Sequence, residues 1–583
     1  MDHGRRSLTA LLEQRVTRRG HVPFIVCPQG AEVRTLTFGE LHHVALANIR
    51  RIRAMADVGD RVLLAINDPI DFVEAFFSVI YAGAIPVPIP APAPRRASSL
   101  QQLAAVAAHS GAKLALVSHE LLGDLHMHAT QHAALSDIRF LPVFEIRSPF
   151  PDDEAAPYLA GPDSVAFLQF TSGSTSAPKG VMVTHGNILH NQALIQRCFR
   201  HSEQTVFAGW LPLYHDMGLI GNVLQPLFLG ITSVLLSPMA FMERPAHLLR
   251  VISDYRATTC GMPNFGYAHC VQRVRNDELT GVDLSSWSIA YNGSEPVRAE
   301  TMRTFAERFD AYGFHKRAFY PCYGMAEATL FVTGWSQGAP WIEKSLDPVA
   351  LVKHAVLPST SDDAISVVSS GYLNDGHDIR IIDPDTHVVC RENQVGEIWV
   401  AGPSVAQGYW GAPDKTRETF QAYLATNEGP FLRTGDLGFI ENGRLYVTGR
   451  LKDLIIVRGK NHYPEDIEAT IAGCCAAFVP NGTAAFDLDM QDAERVVIVQ
   501  EITRKHALRP DEPRWRTLVK DAVARQHQLA VSDVKFVLPK TIPRTSSGKI
   551  QRYKCRALYL NAGLALIEQR QAKAKLADTL PIA

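Results

Sequence analysis

The sequence predicts an α/β protein with a large N-terminal domain and a small α+β domain at the C-terminus. Strand-like and helix-like runs alternate from about residue 60 onward, which is the order of elements in layered α/β folds. The chain has 583 residues, too many for a single hydrophobic core, so we expect at least two domains. A different pattern, with one helix-like run between two strand-like runs, follows residue 450.

The alternation is clearest in two places. Strand, helix and strand are predicted at residues 61–66, 71–82 and 84–89. The same order returns at residues 232–236, 246–255 and 258–262. Between these two places, apolar residues 165–170 and 181–183 predict strands on either side of a polar segment.

The chain is expected to divide at residue 450. Beyond that point a strand-like, a helix-like and a strand-like run lie at residues 494–500, 515–527 and 534–538. We therefore predict a large domain over residues 1–450 and a small domain over residues 451–583. Residues 342–368 lack a clear hydrophobic period, so we interpret them as a segment inserted into the large domain.

Composition and charge exclude several classes of protein. Hydrophobic residues make up 46% and charged residues 20%, as in ordinary globular proteins. The net charge of −1 does not favour a nucleic-acid partner. The most apolar region, residues 72–92, contains Glu74 and four prolines, so we do not expect an integral membrane protein. Nine cysteines without a C-x-x-C pair are typical of a cytoplasmic protein.

Residues 170–180 read Phe-Thr-Ser-Gly-Ser-Thr-Ser-Ala-Pro-Lys-Gly and are the most informative stretch of the chain. Hydroxyl groups, exposed backbone N–H groups and one lysine suit a polyphosphate. The stretch is not a Walker A loop, because Pro178 precedes Lys179 and Gly180 follows it. The residues predicted to hold phosphate are Thr171, Ser172, Gly173, Ser174, Thr175 and Lys179.

This stretch resembles the phosphate loop of the adenylate-forming enzymes, the superfamily of acyl-CoA synthetases, adenylation domains and luciferases. Further motifs in the family's order lie at residues 292–296, 321–327, 433–450 and 543–549. Each motif alone is weak evidence for the family. The order of the motifs along the chain carries the resemblance. It implies ATP and Mg²⁺ as cofactors, a large domain of α/β/α/β/α layers and a mobile small domain.

The resemblance also implies where adenine binds. Tyr323, in the run Pro-Cys-Tyr-Gly-Met-Ala-Glu at residues 321–327, would stack its ring on the base. The other residues implied at the base follow this tyrosine or form the loop at the adenine edge, and they are Gly324, Met325, Gly293, Ser294 and Glu295.

For ribose, phosphate and metal, the resemblance implies a second group of residues. Asp436 would accept the ribose hydroxyls, and Arg450 would donate to ribose or phosphate. Glu327 and Thr171 would hold Mg²⁺ against the phosphates. Ala326 replaces the threonine of relatives, so a hydroxyl group that meets the α-phosphate there is missing.

Three residues are implied to act in catalysis. Lys549, in the run Pro-Arg-Thr-Ser-Ser-Gly-Lys, would bridge the substrate carboxylate and the α-phosphate as charge develops. Lys452 stands at the family's hinge position. His215, in the run Leu-Pro-Leu-Tyr-His-Asp-Met-Gly, would form a wall of the site for the acyl carboxylate, next to residues 262–267.

The sequences of residues 211–220 and 322–330, together with the segment at 342–368, are similar to the corresponding motifs of the fatty acyl-AMP ligases. His462, in the run Asn-His-Tyr-Pro at 461–464, replaces the valine or isoleucine of coenzyme-A-using relatives. The resemblance implies that a fatty acid is activated as its adenylate and passed to an acyl carrier protein. It also implies poor use of free coenzyme A.

Two further hypotheses concern the partner and the alternatives. Residues 541–583 hold eight Lys and Arg against two acids, and part of this basic segment, including Arg570, Lys573 and Lys575, is predicted to attract an acidic carrier protein. The sequence leaves open an acyl-CoA ligase, an amino-acid-adenylating enzyme with Glu243 in the acyl site, and a non-catalytic nucleotide-binding scaffold.

Overall fold

The computed structural model of the protein describes residues 7–30, 32–92, 97–129, 133–143, 155–171, 178–457, 460–490, 493–527, 529–545 and 548–567. Strands and helices alternate through most of the chain, which confirms the predicted α/β class. None of the helices in these ranges is long and apolar enough to span a membrane.

A mixed sheet runs through the N-terminal part of the chain. Its strands, in spatial order, are Asp378–Ile382, Gly396–Ala401, Leu432–Glu441, Arg444–Arg450, Ile365–Tyr372, Phe331–Gly334, Phe319–Gly324, Ile289–Asn292, Thr259–Met262, Phe207–Gly209, Ser233–Leu235, Pro23–Gln29 and Glu32–Thr37. The central strands from Phe319–Gly324 to Pro23–Gln29 are parallel neighbours. Parallel strands bring their carboxyl ends to one edge, where loops such as residues 292–296 are placed.

Smaller sheets complete the architecture. Four parallel strands are Ile85–Pro88, Arg61–Ala65, Leu114–Val117 and Arg139–Pro142. Two antiparallel pairs are Val165–Thr171 with Lys179–Thr184, and Ile455–Val457 with Lys460–His462. The C-terminal sheet consists of Phe478–Met490, Ala493–Ile502 and Val531–Val537.

Helices cover these sheets. Up to residue 450 the α-helices are Leu8–Arg19, Phe38–Arg53, Pro69–Ala82, Ala97–Ser110, Leu122–Ala129, Ala133–Ser136, His185–Phe199, Asp216–Leu219, Gln225–Leu229, Pro238–Glu243, Ala246–Asp254, Asn264–Arg273, Ala299–Phe309, Pro348–Val352 and Pro413–Phe420. A π-helical turn, Ile220–Leu224, joins two of them. The C-terminal helices are Pro464–Ala472, Arg504–Ala507, Glu512–His527 and Arg552–Leu560.

Both strand–helix–strand units predicted from the sequence are confirmed, with shifted ends. The helix expected from residue 71 begins at Pro69. Asp68 causes this shift, because its carboxylate accepts hydrogen bonds from the backbone N–H groups of Ile70 and Asp71, and proline suits the first helical position. The second unit consists of Ser233–Leu235, Ala246–Asp254 and Thr259–Met262.

The segment interpreted as an insertion contains strands that pair with the large sheet. Glu343–Leu346 pairs antiparallel with Ile365–Tyr372. The latter strand also pairs with Phe331–Gly334 and Arg444–Arg450, so the end of the predicted insertion is an integral strand of the large sheet. Its hydrophobic period is weak because each element between residues 343 and 368 is too short to show one.

The position of the domain boundary remains our proposal. Strand Arg444–Arg450 is the last strand of the large sheet, and a 3₁₀ turn, Leu451–Asp453, follows it directly. The C-terminal sheet has its own apolar core, which includes Ile498, Val519 and Phe536. We therefore keep a division after residue 450, with Lys452 in the connecting turn.

Candidate active site

One continuous cavity of about 1140 Å³ lies between the large sheet and the C-terminal part of the chain. It is lined by every described residue that the sequence predicted for the site, namely Thr171, Lys179, His215, Gly293, Ser294, Glu295, Tyr323, Gly324, Met325, Glu327, Asp436, Arg450, Lys452 and Lys549. Four predicted phosphate-loop residues, Ser172, Gly173, Ser174 and Thr175, lie outside the described residues.

The phosphate side of the cavity begins at a hairpin. Strands Val165–Thr171 and Lys179–Thr184 are antiparallel, and their register places Thr171 opposite Lys179. The Lys179 ammonium lies 4.8 Å from the centroid of the Tyr409 ring. The Tyr409 hydroxyl donates to Glu327 at 2.8 Å. A cation, an aromatic ring and a carboxylate are therefore connected by direct contacts beside the ends of the phosphate loop.

Asp436 lies between two donors. The Tyr323 hydroxyl donates to one of its oxygens at 2.7 Å, and the Arg450 guanidinium lies 2.9 Å from the other. Strand pairing sets this contact, because Asp436 and Arg450 face each other in neighbouring strands. Burial, and then the charge of Asp436, raises the pKa of Tyr323 well above its usual range, so the phenol stays protonated and donates.

The loop predicted to lie at the adenine edge needs glycine where its backbone approaches the next strand. A β-carbon on Gly293 would lie 2.8 Å from the sulfur of Cys322. Ser294 has φ 70°, so the chain turns sharply there. The Glu295 carboxylate accepts a hydrogen bond from the Phe265 backbone N–H at 2.6 Å. This bond ties the loop to helix Asn264–Arg273.

Lys549 reaches the cavity from a tight turn. Its backbone N–H donates to the Thr545 hydroxyl at 3.0 Å, and its carbonyl accepts from the Thr545 backbone N–H at 2.7 Å. The Arg544 guanidinium donates to the Gly548 carbonyl at 3.2 Å, and Gly548 has φ 87°, a conformation that favours glycine. The turn therefore fixes the start of the Lys549 side chain.

The ammonium of Lys549, a partly buried residue, lies in the cavity among charged groups. Burial, and after it the Arg450 charge, lowers the pKa of Lys549 below its usual range. The carboxylates of Asp216, Glu295 and Asp436 act against this shift. These three carboxylates favour a positive charge on the Lys549 side chain.

His215 precedes the short helix Asp216–Leu219 and lines the cavity beside Lys549. Burial, and then the Lys549 charge, lowers the pKa of His215 to about 4. The imidazole is therefore neutral near pH 7 and can bind a carboxylate only through a neutral N–H group. Burial raises the pKa of the adjacent Asp216. The sequence analysis missed Asp216, although a charge within the apolar run 211–220 could have indicated it.

A buried carboxylate supports the strand that carries Asp436. Glu397 is 2% exposed and accepts from the Trp399 indole N–H at 2.9 Å and the Gly435 backbone N–H at 3.1 Å. The Arg433 guanidinium also lies 2.7 Å from Glu397. Sequence reasoning missed both Glu397 and Tyr409. Glu397 could have been recognised as an acidic residue inside the apolar strand Gly396–Ala401.

We predict that Glu397→Gln weakens ATP binding. The amide retains the shape of the carboxylate but loses its charge, so the Arg433 and Gly435 contacts weaken and Asp436 is less firmly placed. We expect the KM for ATP to rise about tenfold, the effect of roughly 1.4 kcal/mol. Glu441→Gln is the matched control, since Glu441 pairs with Lys344 at 2.8 Å away from the cavity. An unchanged KM in folded Glu397→Gln protein would contradict this role.

The C-terminal part also contacts the large sheet through ionic groups. The Arg298 guanidinium donates to the Glu465 backbone carbonyl at 2.9 Å and lies 3.8 Å from the Asp466 carboxylate. Burial raises the pKa of Asp466 to about 7. These contacts join the beginning of helix Pro464–Ala472 to the loop before Ala299–Phe309.

Comparison with known proteins places this geometry in a family. The family model described as AMP-binding enzyme matches residues 12–410, and the model of the Disco-interacting protein 2-like AMP domain matches residues 452–569. A medium-chain-fatty-acid–[acyl-carrier-protein] ligase, JamA, from Moorena producens (strain JHB) is 37% identical over 94% of this chain and 93% of its own. The long-chain-fatty-acid–AMP ligase FadD23 of Mycobacterium tuberculosis is 33% identical over 90% and 91%.

A solved structure has the same fold over nearly the whole length. The fatty acyl-adenylate ligase from L. pneumophila, in complex with acyl adenylate and pyrophosphate, is 36% identical with a TM-score of 0.74. The alignment covers 96% of this chain and 97% of that one. These similarities confirm the resemblance carried by the motifs. The chain belongs to the AMP-binding enzymes of the adenylate-forming superfamily, in its fatty acyl-AMP ligase branch.

Proposed function

We propose that this protein uses ATP to convert a fatty acid into its acyl adenylate and then transfers the acyl group to the phosphopantetheine thiol of an acyl carrier protein. The observation that carries the proposal is the placement of Lys549. Its ammonium lies in one cavity with Asp436, Arg450 and His215, between the groups proposed for the nucleotide and those proposed for the acid.

In the first step a carboxylate oxygen of the fatty acid attacks the α-phosphorus of ATP. A P–O bond forms, the bond to the β-phosphate breaks, and pyrophosphate leaves with the bonding electron pair. Lys549 would pair with the charge that gathers between carboxylate and phosphate. His215, which is neutral, would lie beside the carboxylate of the acid. It would leave Lys549 as the group that pairs with the negative charge of that carboxylate. The step needs positioning and charge neutralisation, which the described side chains can supply.

The nucleotide would be held by the residues already described. We assign adenine to Tyr323, Gly324 and Met325 with the loop of Gly293, Ser294 and Glu295. Ribose is assigned to Asp436, with Arg450 beside it, and the phosphates to Lys179 and the loop that precedes it. ATP as the nucleotide follows from the family.

The oxygen donors also fit Mg²⁺, which takes one or two protein carboxylates together with substrate phosphates. Glu327 and Thr171 line the phosphate side of the cavity, and the hydrogen bond from Tyr409 uses one Glu327 oxygen and leaves its second for a metal. We propose that these two residues hold Mg²⁺, which when bound neutralises phosphate charge.

In the second step the carrier thiol would attack the acyl carbon, a thioester bond would form, and AMP would leave as the thiol proton is lost to solvent. The resemblance implies that rotation about Lys452 opens the path for this thiol. Arg570, Lys573 and Lys575, expected to attract the carrier, lie outside the described residues, so that role stays a prediction. We place the reaction in the cytoplasm, because the nine cysteines are free thiols.

Isotope exchange between ATP and pyrophosphate tests the first step. With Mg²⁺ present, we expect exchange that depends on a fatty acid and that falls strongly in Glu327→Gln, because the variant loses the proposed carboxylate ligand. Exchange that depends on an amino acid, or no exchange with any acid, would contradict the proposed substrate class.

A further inference from the structure

Part of the cavity is lined by four buried aromatic rings that contact one another, and we call this part the aromatic arm. Phe199 lies 5.3 Å from Phe331 and 5.2 Å from His201, measured between ring centroids. His201 lies 5.0 Å from Phe207. All four residues line the cavity and are buried. If the proposed function is correct, this arm takes the hydrocarbon chain while the carboxylate stays near Lys549.

An uncharged polar side chain lines the same cavity. Gln225 is fully buried and lines the cavity, and neither its amide oxygen nor its amide nitrogen has a hydrogen-bond partner among the described residues. It directly follows the π-helical turn Ile220–Leu224, which presents Gly221 to the same cavity. Buried amides normally find partners within the protein.

The surrounding polar groups do not supply that partner. The hydroxyl of Tyr291, another lining residue, donates to the Asn222 side chain at 2.9 Å. His201 contacts Thr259 through Nε2 at 3.3 Å, while its Nδ1 has no partner within the described part of the chain. Burial lowers the pKa of His201 to about 3, so this ring is neutral. Among the described residues named here, the arm therefore offers neutral hydrogen-bonding groups and no charged one.

We propose that the acid activated here carries a hydroxyl group on its chain, which pairs with Gln225. A hydroxyl both donates and accepts, so it matches the amide, which offers one oxygen acceptor and two N–H donors. An unsubstituted chain would leave the amide oxygen and nitrogen of Gln225 without hydrogen-bond partners. A carboxylate or ammonium on the chain would be buried without a counter-charge. This inference rests on the proposed function and narrows it to hydroxylated fatty acids.

Adenylate formation from a matched series of acids tests the inference. The series is decanoic acid and its hydroxy derivatives, with the hydroxyl placed at each carbon in turn. At least one derivative should exceed decanoic acid in kcat/KM by about tenfold to a hundredfold, the effect of satisfying a buried polar group. This comparison uses the wild-type protein alone, so it decides the question even if variants fold poorly.

Gln225→Met should remove the preference, because the thioether fills similar space without the amide. Gln192→Met is the control, since Gln192 is also fully buried with an unpartnered amide oxygen but does not line the cavity, so its preference ratio should stay at the wild-type value. Equal kcat/KM for all acids, with a ratio that Gln225→Met leaves unchanged, would overturn the inference. Absence of adenylate from every acid would instead contradict the proposed function, and the inference with it.

Discussion

Replacing Lys549 with alanine should lower the rate of acyl-adenylate formation by about a hundredfold to a thousandfold, the usual cost of losing a preorganised group that stabilises developing charge. The ammonium interacts with the carboxylates of Asp216, Glu295 and Asp436. The substitution therefore removes a cation that acts on all three carboxylates in the cavity. Repulsion between them and the incoming phosphate and carboxylate groups adds to the loss.

The same variant separates the two steps. Acyl transfer from chemically prepared acyl adenylate should stay near the wild-type rate, because Lys549 is proposed to act only in the first step. Lys554→Ala is the matched control, since Lys554 is exposed on helix Arg552–Leu560. An adenylation rate in Lys549→Ala within about threefold of wild type would contradict the role assigned by this geometry.

Arg552→Ala should destabilise the C-terminal part by about 3–5 kcal/mol, the cost of removing one partner from a buried ionic group. The guanidinium donates two hydrogen bonds to Glu468, both at 2.8 Å. It also donates to Glu465 at 2.8 Å and to Asp453 at 2.9 Å. The Arg552 side chain is 14% exposed, so water cannot replace these contacts.

The loss should depend on pH in a definite direction. Without Arg552, the crowded carboxylates bind protons more readily in the folded than in the unfolded chain, so stability increases as pH falls. The difference in unfolding free energy between Arg552→Ala and wild type should therefore become smaller as the pH falls from 8 to 5.

Denaturant unfolding of the full chain at both pH values measures this effect. Arg417→Ala is the control, because the Arg417–Asp414 pair is 70% and 90% exposed and such pairs contribute little. A loss for Arg552→Ala no larger than for Arg417→Ala would contradict a structural role for this ionic group.

The sequence motifs predicted the residues that line the site better than they predicted the residues that hold those in place. Lys179, Tyr323, Asp436 and Lys549 are far apart in the chain, yet all line one cavity, because each stands in a motif with its own polar pattern. Glu397 gave only a weak signal, since its importance comes from pairing with Gly435 across two strands. Such pairings depend on strand register, which local patterns do not specify.

A similar limit applies to Tyr409 and Gln225. Tyr409 matters through its contacts with Lys179 and Glu327, and neither residue is near it in sequence. Gln225 is the first residue of a short, mostly apolar helix. Only its burial without a hydrogen-bond partner among the described residues indicates its importance. The strand at Ile365–Tyr372 was hidden because its first residues lie in the weakly periodic segment interpreted as an insertion.

The most direct measurement follows a single incubation of the protein with ATP, Mg²⁺ and a medium-chain fatty acid, to which coenzyme A or phosphopantetheinylated carrier protein is added separately. Acyl adenylate and the two thioesters are then quantified over time. We expect acyl adenylate to accumulate and to be consumed only after carrier protein is added. Rapid formation of acyl-coenzyme A, with no preference for the carrier, would contradict assignment to the carrier-loading reaction.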